Sequence, residues 1–414
     1  MAALANAMKV LVINSGSSSQ KSCVYEIIDS LPDDPPEPVW EAKIEWDEDA
    51  AEIQVRTSKG AAFKERVEKA TRRRALERSL RSLWDGNERI VEKPSEINVV
   101  GHRIVHGGSK FYDPVIITDD VKRAIASASA IAPLHNRAEL QGIESIANLL
   151  GDVPQIAVFD TGFHQHLPAA AAVYPGPYEW LQRGIRRYGF HGINHQYCAG
   201  RAAQLLGKPP GKLRFVSCHL GNGCSLTAID GGRSVDTTMG LTPLEGLMMG
   251  TRAGSIDPGI LTYLMREDGI DARRLDQVLN DESGLLGISG VSSDMRKVLE
   301  AMKSGNERAA LAFQIFIHRL RSSIGSMVAA LDAVDALIFT AGIGENSAAV
   351  REAACADFGF LHLRLDSTAN NRSPVDRDIA ARDSSVRVLV IHAQEDWAIA
   401  GDCWRICSGS QRTR

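Results

Sequence analysis

No stretch of this chain approaches the ~18 consecutive apolar residues that would cross a membrane. Its opening, MAALANAMKV, lacks the basic-then-apolar layout of a secretory leader. The expected location is the cytoplasm, with no membrane partner. Cysteine is sparse: seven thiols are scattered through 414 residues, odd in number and never spaced C-x-x-C. That excludes a disulfide or zinc-ribbon framework and fits a reducing compartment. Excess positive charge is missing as well. The formal net charge of −4 argues against a nucleic-acid partner, whose phosphates call for a strongly basic surface. The one arginine-dense run, TRRRALERSLRSLW at 71–84, carries interspersed glutamate and reads as the solvated face of a helix expected from 64 to 90. Also absent are a G-x-x-x-x-G-K-[ST] loop, a complete G-x-G-x-x-G and a G-x-S-x-G elbow. Any phosphates must be held another way.

What is present divides over two or three domains, at ~150 residues each. The run KVLVINSGSSSQKSCVYEI, 9–27, reads strand, small-residue turn, strand. Residues 29–38, DSLPDDPPEP, form a surface loop. The apolar runs at 97–105 and 155–160 fit interior strands with functional groups at their ends. Helical periodicity is clearest at 138–150, 195–206, 272–280 and 308–331. Residues 214–232, RFVSCHLGNGCSLTAIDGG, echo the opening hairpin. The echo fits either one element used in two related domains or two unrelated hairpins. A third loop, ALIFTAGIGENSAAVRE at 336–352, runs from a strand through Gly-x-Gly into a helix.

These loops are the candidate phosphate binders. In NSGSSSQK, 14–21, small residues let backbone N–H groups approach an anion, serines add donors and Lys21 adds charge. HLGNG (His219, Leu220, Gly221, Asn222, Gly223) offers the same with two glycines and an asparagine. GIGEN (Gly342, Ile343, Gly344, Glu345, Asn346) opens a helix whose N-terminus attracts anions. Each alone reads as an ordinary turn; three together favour a nucleotide. Arg103 in GHRIVHGG and Arg252 in MMGTRAGS sit among small or apolar residues, where a guanidinium suits phosphate or carboxylate. HGINH could place His191 and His195 on zinc, but Gly192 stands where zinc helices carry glutamate. His191 reads better as a donor to an oxyanion or phosphate. His164 and His166 are either ligands or structural. Asp160 ends a strand in FDTGFH, and Glu395 and Asp396 follow another. Acids so placed serve Mg²⁺ or cap a helix, and the cap is the simpler role for Asp396.

VLVINSGSSSQKS, GHRIVHGG, APLHN, VFDTGFHQHLP, YGFHGINH, HLGNGCSLTAIDGG, DTTMGLTPLEGLMMGTRAGSIDP and FTAGIGENS follow one another in that order. Together they resemble the acetate kinase (acetokinase) family, of the superfamily of sugar kinases, actin and chaperone ATPases. The resemblance runs from residue 10 to IHAQEDWAIA. It implies an α/β fold of two actin-like (ribonuclease H-like) domains facing a central cleft, 1–162 plus 393–414 and 163–392, in a homodimer. It implies reversible transfer of the ATP γ-phosphoryl group to acetate, giving acetyl phosphate and ADP, with Mg²⁺ or Mn²⁺. Propionate or butyrate as acceptor is the alternative within the class; an actin-like or chaperone-like ATPase is the alternative outside it. Carried over by motif, Asn14 and Glu395 serve the metal, Lys21 the ATP phosphates, and Arg103 the carboxylate. Asp160 is the catalytic aspartate, and His191 and Arg252 are transition-state stabilisers. Nucleotide contacts fall to His219, Leu220, Gly221, Asn222, Gly223, Asp294, Met295, Arg296, Gly342, Ile343, Gly344, Glu345 and Asn346. Val105, Leu134, Phe190 and Pro243 form the apolar acyl pocket. Gln20 and the HAQED context of Glu395 depart from the family pattern, and 31–95 and 359–385 match it poorly. A small carboxylic acid, with a pKa near ~4, is already ionised at neutral pH. Asp160 is therefore expected to orient rather than to accept a proton.

Overall fold

The structure, a computed structural model, describes residues 7–16, 19–46, 50–129, 133–372 and 375–409, without the side chains of 133–135. Ser17, Ser18 and the side chain of Leu134 thus lie outside the described residues. The chain forms two compact units, Met1–Gly162 with Gln394–Arg414, and Phe163–Ala393.

In the first unit, β1 (Met8–Ser15) is continuously buried from Val10 to Ile13, as a strand covered on both faces should be. The NSGSSSQK turn folds β2 (Ser19–Ile27) antiparallel onto it and sets Asn14 opposite Lys21. On its other edge β1 pairs in parallel with β6 (Val99–Ile104), and β6 with β8 (Gln155–Phe159). Antiparallel strands β3 (Trp40–Trp46), β4 (Ala50–Thr57) and β5 (Ala62–Glu68) extend one side, and the short β7 (Val115–Ile116) closes the other. The order among the described residues is β5-β4-β3-β2-β1-β6-β8-β7. The C-terminal helix Glu395–Ser408 packs on β1, β2 and β6. Gly101 makes room for it: a side chain there would meet Cys403 Sγ and Ile399 Cγ2 at 2.6 Å.

The second unit repeats the plan. HLGNG turns β9 (Arg214–Leu220) into β10 (Cys224–Asp230), β11 (Arg233–Thr237) follows antiparallel, and β12 (Ala336–Thr340) and β14 (Arg387–Val390) add in parallel. With β13 (Arg377–Asp378) the order is β11-β10-β9-β12-β14-β13. β3-β2-β1-β6-β8 and β11-β10-β9-β12-β14 therefore share one topology, third-second-first-fourth-fifth. The echo between 9–27 and 214–232 is the opening hairpin of two like sheets, as in actin-like domains.

One expectation is overturned. The run from 64 to 90 is not a single helix. Residues 62–68 alternate exposed and half-buried and form β5, because Phe63 and Val67 belong to the core under the sheet. The helix, α1, is only Arg72–Arg81, capped by Thr71, whose Oγ1 accepts the Arg74 N–H. Its arginines work at the surface: Arg73 pairs with Glu77 and Arg72 stacks 4.3 Å over Trp46. Leu76 and Leu80 face inward, onto a core that includes the fully buried Trp40. The Trp40 indole N–H donates to Ser82 Oγ at 3.1 Å. Trp40→Ala should lower unfolding free energy by about 3–5 kcal/mol, read from urea denaturation of the full chain.

Candidate active site

Parallel pairing brings the ends of β1, β6 and β8 side by side, and the C-terminal helix adds its first turn. At that place sits Arg103, its side chain only 13% exposed. Its Nε and Nη2 donate to the two oxygens of Asp160 at 3.2 and 2.5 Å, and its Nη1 to Asn14 Oδ1 at 3.3 Å. Glu395 stands 3.9 Å away. Burial works against the charge on Arg103, but Asp160, then Glu395, hold it firmly protonated. The Asn14 amide is thereby oriented. With its oxygen on Arg103, its nitrogen donates to Asp396 Oδ1 at 3.0 Å and Glu395 Oε2 at 3.3 Å. Lys21 lies between Asp396 (3.0 Å) and Glu41 (3.4 Å). Burial opposes its charge, and these acids more than restore it.

Asp396 is thus more than a helix cap. The N-cap position is Gln394, which makes no side-chain capping bond, while the Asp396 carboxylate faces Asn14, Lys21 and the Cys23 thiol. Glu41, on β3, had no motif to mark it. Val105 is buried just past β6.

In the second unit, His191 adopts a left-handed φ of 57° and opens the helix Gly192–Leu206, a strained conformation found more often at functional positions. Its ring stacks on His219 at 4.0 Å. A side chain at Gly223 would sit 3.4 Å from His191 Nε2 and 3.6 Å from Arg252 Nη1, so both groups face the HLGNG turn. That turn closes on itself through Gly221 N–H to Gly223 O, and Gly250 N–H donates to Asn222 O. Arg252 donates to Pro243 O at 3.3 Å, and burial lowers its pKa. His219, Gly221, Asn222, Gly223, His191, Arg252 and Pro243 therefore form one neighbourhood.

The remaining expected nucleotide residues are held as follows. Asp294 caps the helix Met295–Lys303 and pairs with the exposed Arg296, while Met295 is buried. In the short helix Ala341–Asn346, Asn346 donates back to Gly342 O, and Glu345 accepts from His392 Nδ1 and the Ala393 N–H. Its second half is gripped by Arg351, which sequence reasoning missed. This buried guanidinium donates to Gly344 O, Glu345 O and both oxygens of Asn370. Surrounded by carbonyls, it has its pKa pushed down by burial to about 10. Phe190 is buried, and its carbonyl accepts from His164, whose other nitrogen meets Ser234. His164 is therefore structural. His195 has both ring nitrogens on hydroxyls, Ser217 and Ser225, which removes it from a zinc site; His166 is exposed.

Two like sheets, each with a small-residue hairpin turn beside buried cations, define a phosphotransferase of the actin-like fold. The chain belongs to the acetokinase family, whose pattern matches residues 9–401. It is 59% identical over 402 residues to the acetate kinase of Nostoc punctiforme, covering 96% of this chain and 99% of that protein. To the acetate kinase of Cyanothece sp. it is 57% identical over 401 residues, with 96% and 98% coverage. Solved structures agree. Porphyromonas gingivalis acetate kinase is 38% identical with a TM-score of 0.87, over 97% of this chain and 100% of that one. A propionate kinase from Francisella tularensis is 35% identical, also at 0.87, over 96% and 99%.

A second residue without a motif is Glu139, on the helix Pro133–Leu150. It is buried, its Oε1 accepts the Val105 N–H at 3.1 Å, and its Oε2 has no hydrogen-bond partner among the described residues. Burial raises its pKa from 4.5 to about 8, despite Arg103. The folded state therefore binds more protons than the unfolded state between those values. Stability from this group is complete below about 4.5 and is lost as pH rises to about 8. Glu139→Gln, which keeps an acceptor but cannot ionise, should remove that loss. Urea midpoints measured from pH 5 to pH 8.5 should fall less steeply in the variant than in wild type.

Proposed function

We propose that this chain is an acetate kinase, transferring the γ-phosphoryl group of ATP reversibly to acetate. The observation that carries the reading is full-length identity of 59% to an enzyme of that name; the chemistry of the buried residues supports it. Phosphoryl transfer needs in-line positioning and positive charge around the equatorial oxygens more than covalent help. Arg103, its charge held by Asp160, binds the acetate carboxylate. His191 and Arg252 donate to the transferring phosphoryl group, and the HLGNG turn and the short GIGEN helix hold the nucleotide. Asp160 orients Arg103 rather than accepting a proton, since acetate arrives ionised.

The donor set fits a hard divalent cation. Glu395 and Asp160 are carboxylates, and Mg²⁺ at such sites is commonly held by one or two carboxylates with water and substrate phosphates. Asn14 turns its nitrogen toward Glu395, so it would position that carboxylate or a metal-bound water. Bound there, Mg²⁺ or Mn²⁺ would neutralise charge on the phosphates. The same reading carries a cytoplasmic homodimer. The exposed Ile260, Tyr263 and Met265 of helix Pro258–Glu267 support the dimer, and no helix among the described residues is long and apolar enough to cross a membrane.

ADP release by the purified chain should depend on acetate, with acyl phosphate trapped as its hydroxamate; acetate-independent turnover would instead favour an ATPase. Arg103→Ala and Arg252→Ala should each lower kcat/KM by about 10²–10³, the scale of losing one transition-state donor, with the fold retained by circular dichroism. Near-normal activity would remove that arginine from the mechanism. The likeness to a propionate kinase at equal TM-score keeps the acceptor a quantitative question. One methylene in an apolar pocket is worth about 10–200-fold in kcat/KM, so propionate should be slower but detectable. Val105→Ala should shift the acetate-to-propionate ratio toward propionate. An unchanged ratio with lowered stability would make Val105 a packing residue only.

A further inference from the structure

Behind the HLGNG turn lies a chain of buried imidazoles and hydroxyls that the reaction as described does not use. Ser225, fully buried on β10, has its Oγ 2.9 Å from His191 Nδ1 and 2.8 Å from His195 Nε2. His195 Nδ1 in turn lies 2.9 Å from Ser217 Oγ. Burial, reinforced by His164 and His219, holds His195 well below the usual imidazole range, so it stays neutral with one N–H. The stacked partner of His191 is fixed separately. The Cys198 thiol donates to Asn194 Oδ1, leaving Asn194 Nδ2 to donate to His219 Nδ1 at 2.8 Å.

A hydroxyl has one proton to give, so only one of the two rings on Ser225 can receive it. We infer that Ser225 gives it to His191 Nδ1 while accepting from His195 Nε2–H, and so acts as a positioning residue that holds His191 as the Nε2–H tautomer. The inference rests on the proposed role of His191 toward the phosphoryl group. A ring protonated on Nδ1 instead would turn a lone pair on Nε2 toward phosphoryl oxygens. The backbone at His191 is already in the left-handed region, so Ser225 and the His219 stack together settle the ring's direction.

The test is long-range ¹H–¹⁵N correlation on the full chain with ring-labelled histidine, the His191 signal being assigned by its loss in His191→Gln. Wild type at neutral pH should show His191 with Nδ1 bare and Nε2 protonated. Ser225→Ala should mix the tautomers and lower kcat by about 10–100-fold, the scale of a misaligned group. KM for ATP and acetate should stay within about threefold, and Ser225→Thr should restore both tautomer and rate. A wild-type His191 protonated on Nδ1 overturns the inference. So does Ser225→Ala with wild-type kcat where His191→Gln is crippled, or a loss that leaves the tautomer unchanged. Full activity in His191→Gln would instead defeat the catalytic reading of His191, leaving the tautomer measurement to judge Ser225 by itself.

Discussion

A guanidinium buried at the end of β6 must be neutralised where it stands, and much of the first unit follows from that requirement. Leaving one member of a buried ion pair alone costs about 3–5 kcal/mol. Arg103 meets it with the carboxylate just beyond β8, the amide at the end of β1, and a glutamate from the chain's last helix. These groups are brought together only because β1, β6 and β8 run parallel and in register. The final helix joins them because β6 carries a glycine where it crosses. Lys21 is tied into the same balance through Asp396, so the first turn is positioned by charges at both ends of the chain.

In the second unit the donors around the HLGNG turn are held by neutral groups. Arg252 donates to the Pro243 carbonyl, and the charge of Asp281 favours its protonated form. His191 and His219 are held by hydroxyl and amide groups, and Arg351 by carbonyls. Hydrogen-bond donors fixed by carbonyl, hydroxyl and amide groups are preorganised and lose little by reorienting when an anion approaches. The cluster around Arg103 is thus balanced by carboxylates, while the donors at the HLGNG turn are fixed by neutral groups.

Much of this was legible before any coordinates. Continuous apolar runs named β1, β6, β8, β9 and β12, and helical periodicity marked Gly192–Leu206, Ala272–Asp281 and Glu307–Ala329 to within a few residues. Local turn chemistry located the HLGNG turn, while GIGEN, expected to lead into a helix, is itself the short helix Ala341–Asn346. What failed was local pattern where tertiary burial decided the outcome. The segment 64–68 is rich in charge and looks helical, yet Phe63 and Val67 are claimed by a sheet face that forms only when β4 is alongside. Likewise Asp396 carries the composition of a helix start, and only the return of that helix to Asn14 and Lys21 gives it another task.

By itself the sequence determined the continuously apolar strands, the longer periodic helices, the cations at strand ends and the family, because each depends on residues within a few positions of one another. Tertiary structure alone decided which acid meets which base. Asn14 and Glu395 are 381 positions apart, Arg103 and Asp160 57, and no local pattern spans such separations. It also decided that Glu139 is kept from water, that Arg351 grips the GIGEN segment, and that Ser225 joins two histidines. Burial, partner and proton location belong to the packed interior, and each is set by groups the chain brings together only on folding.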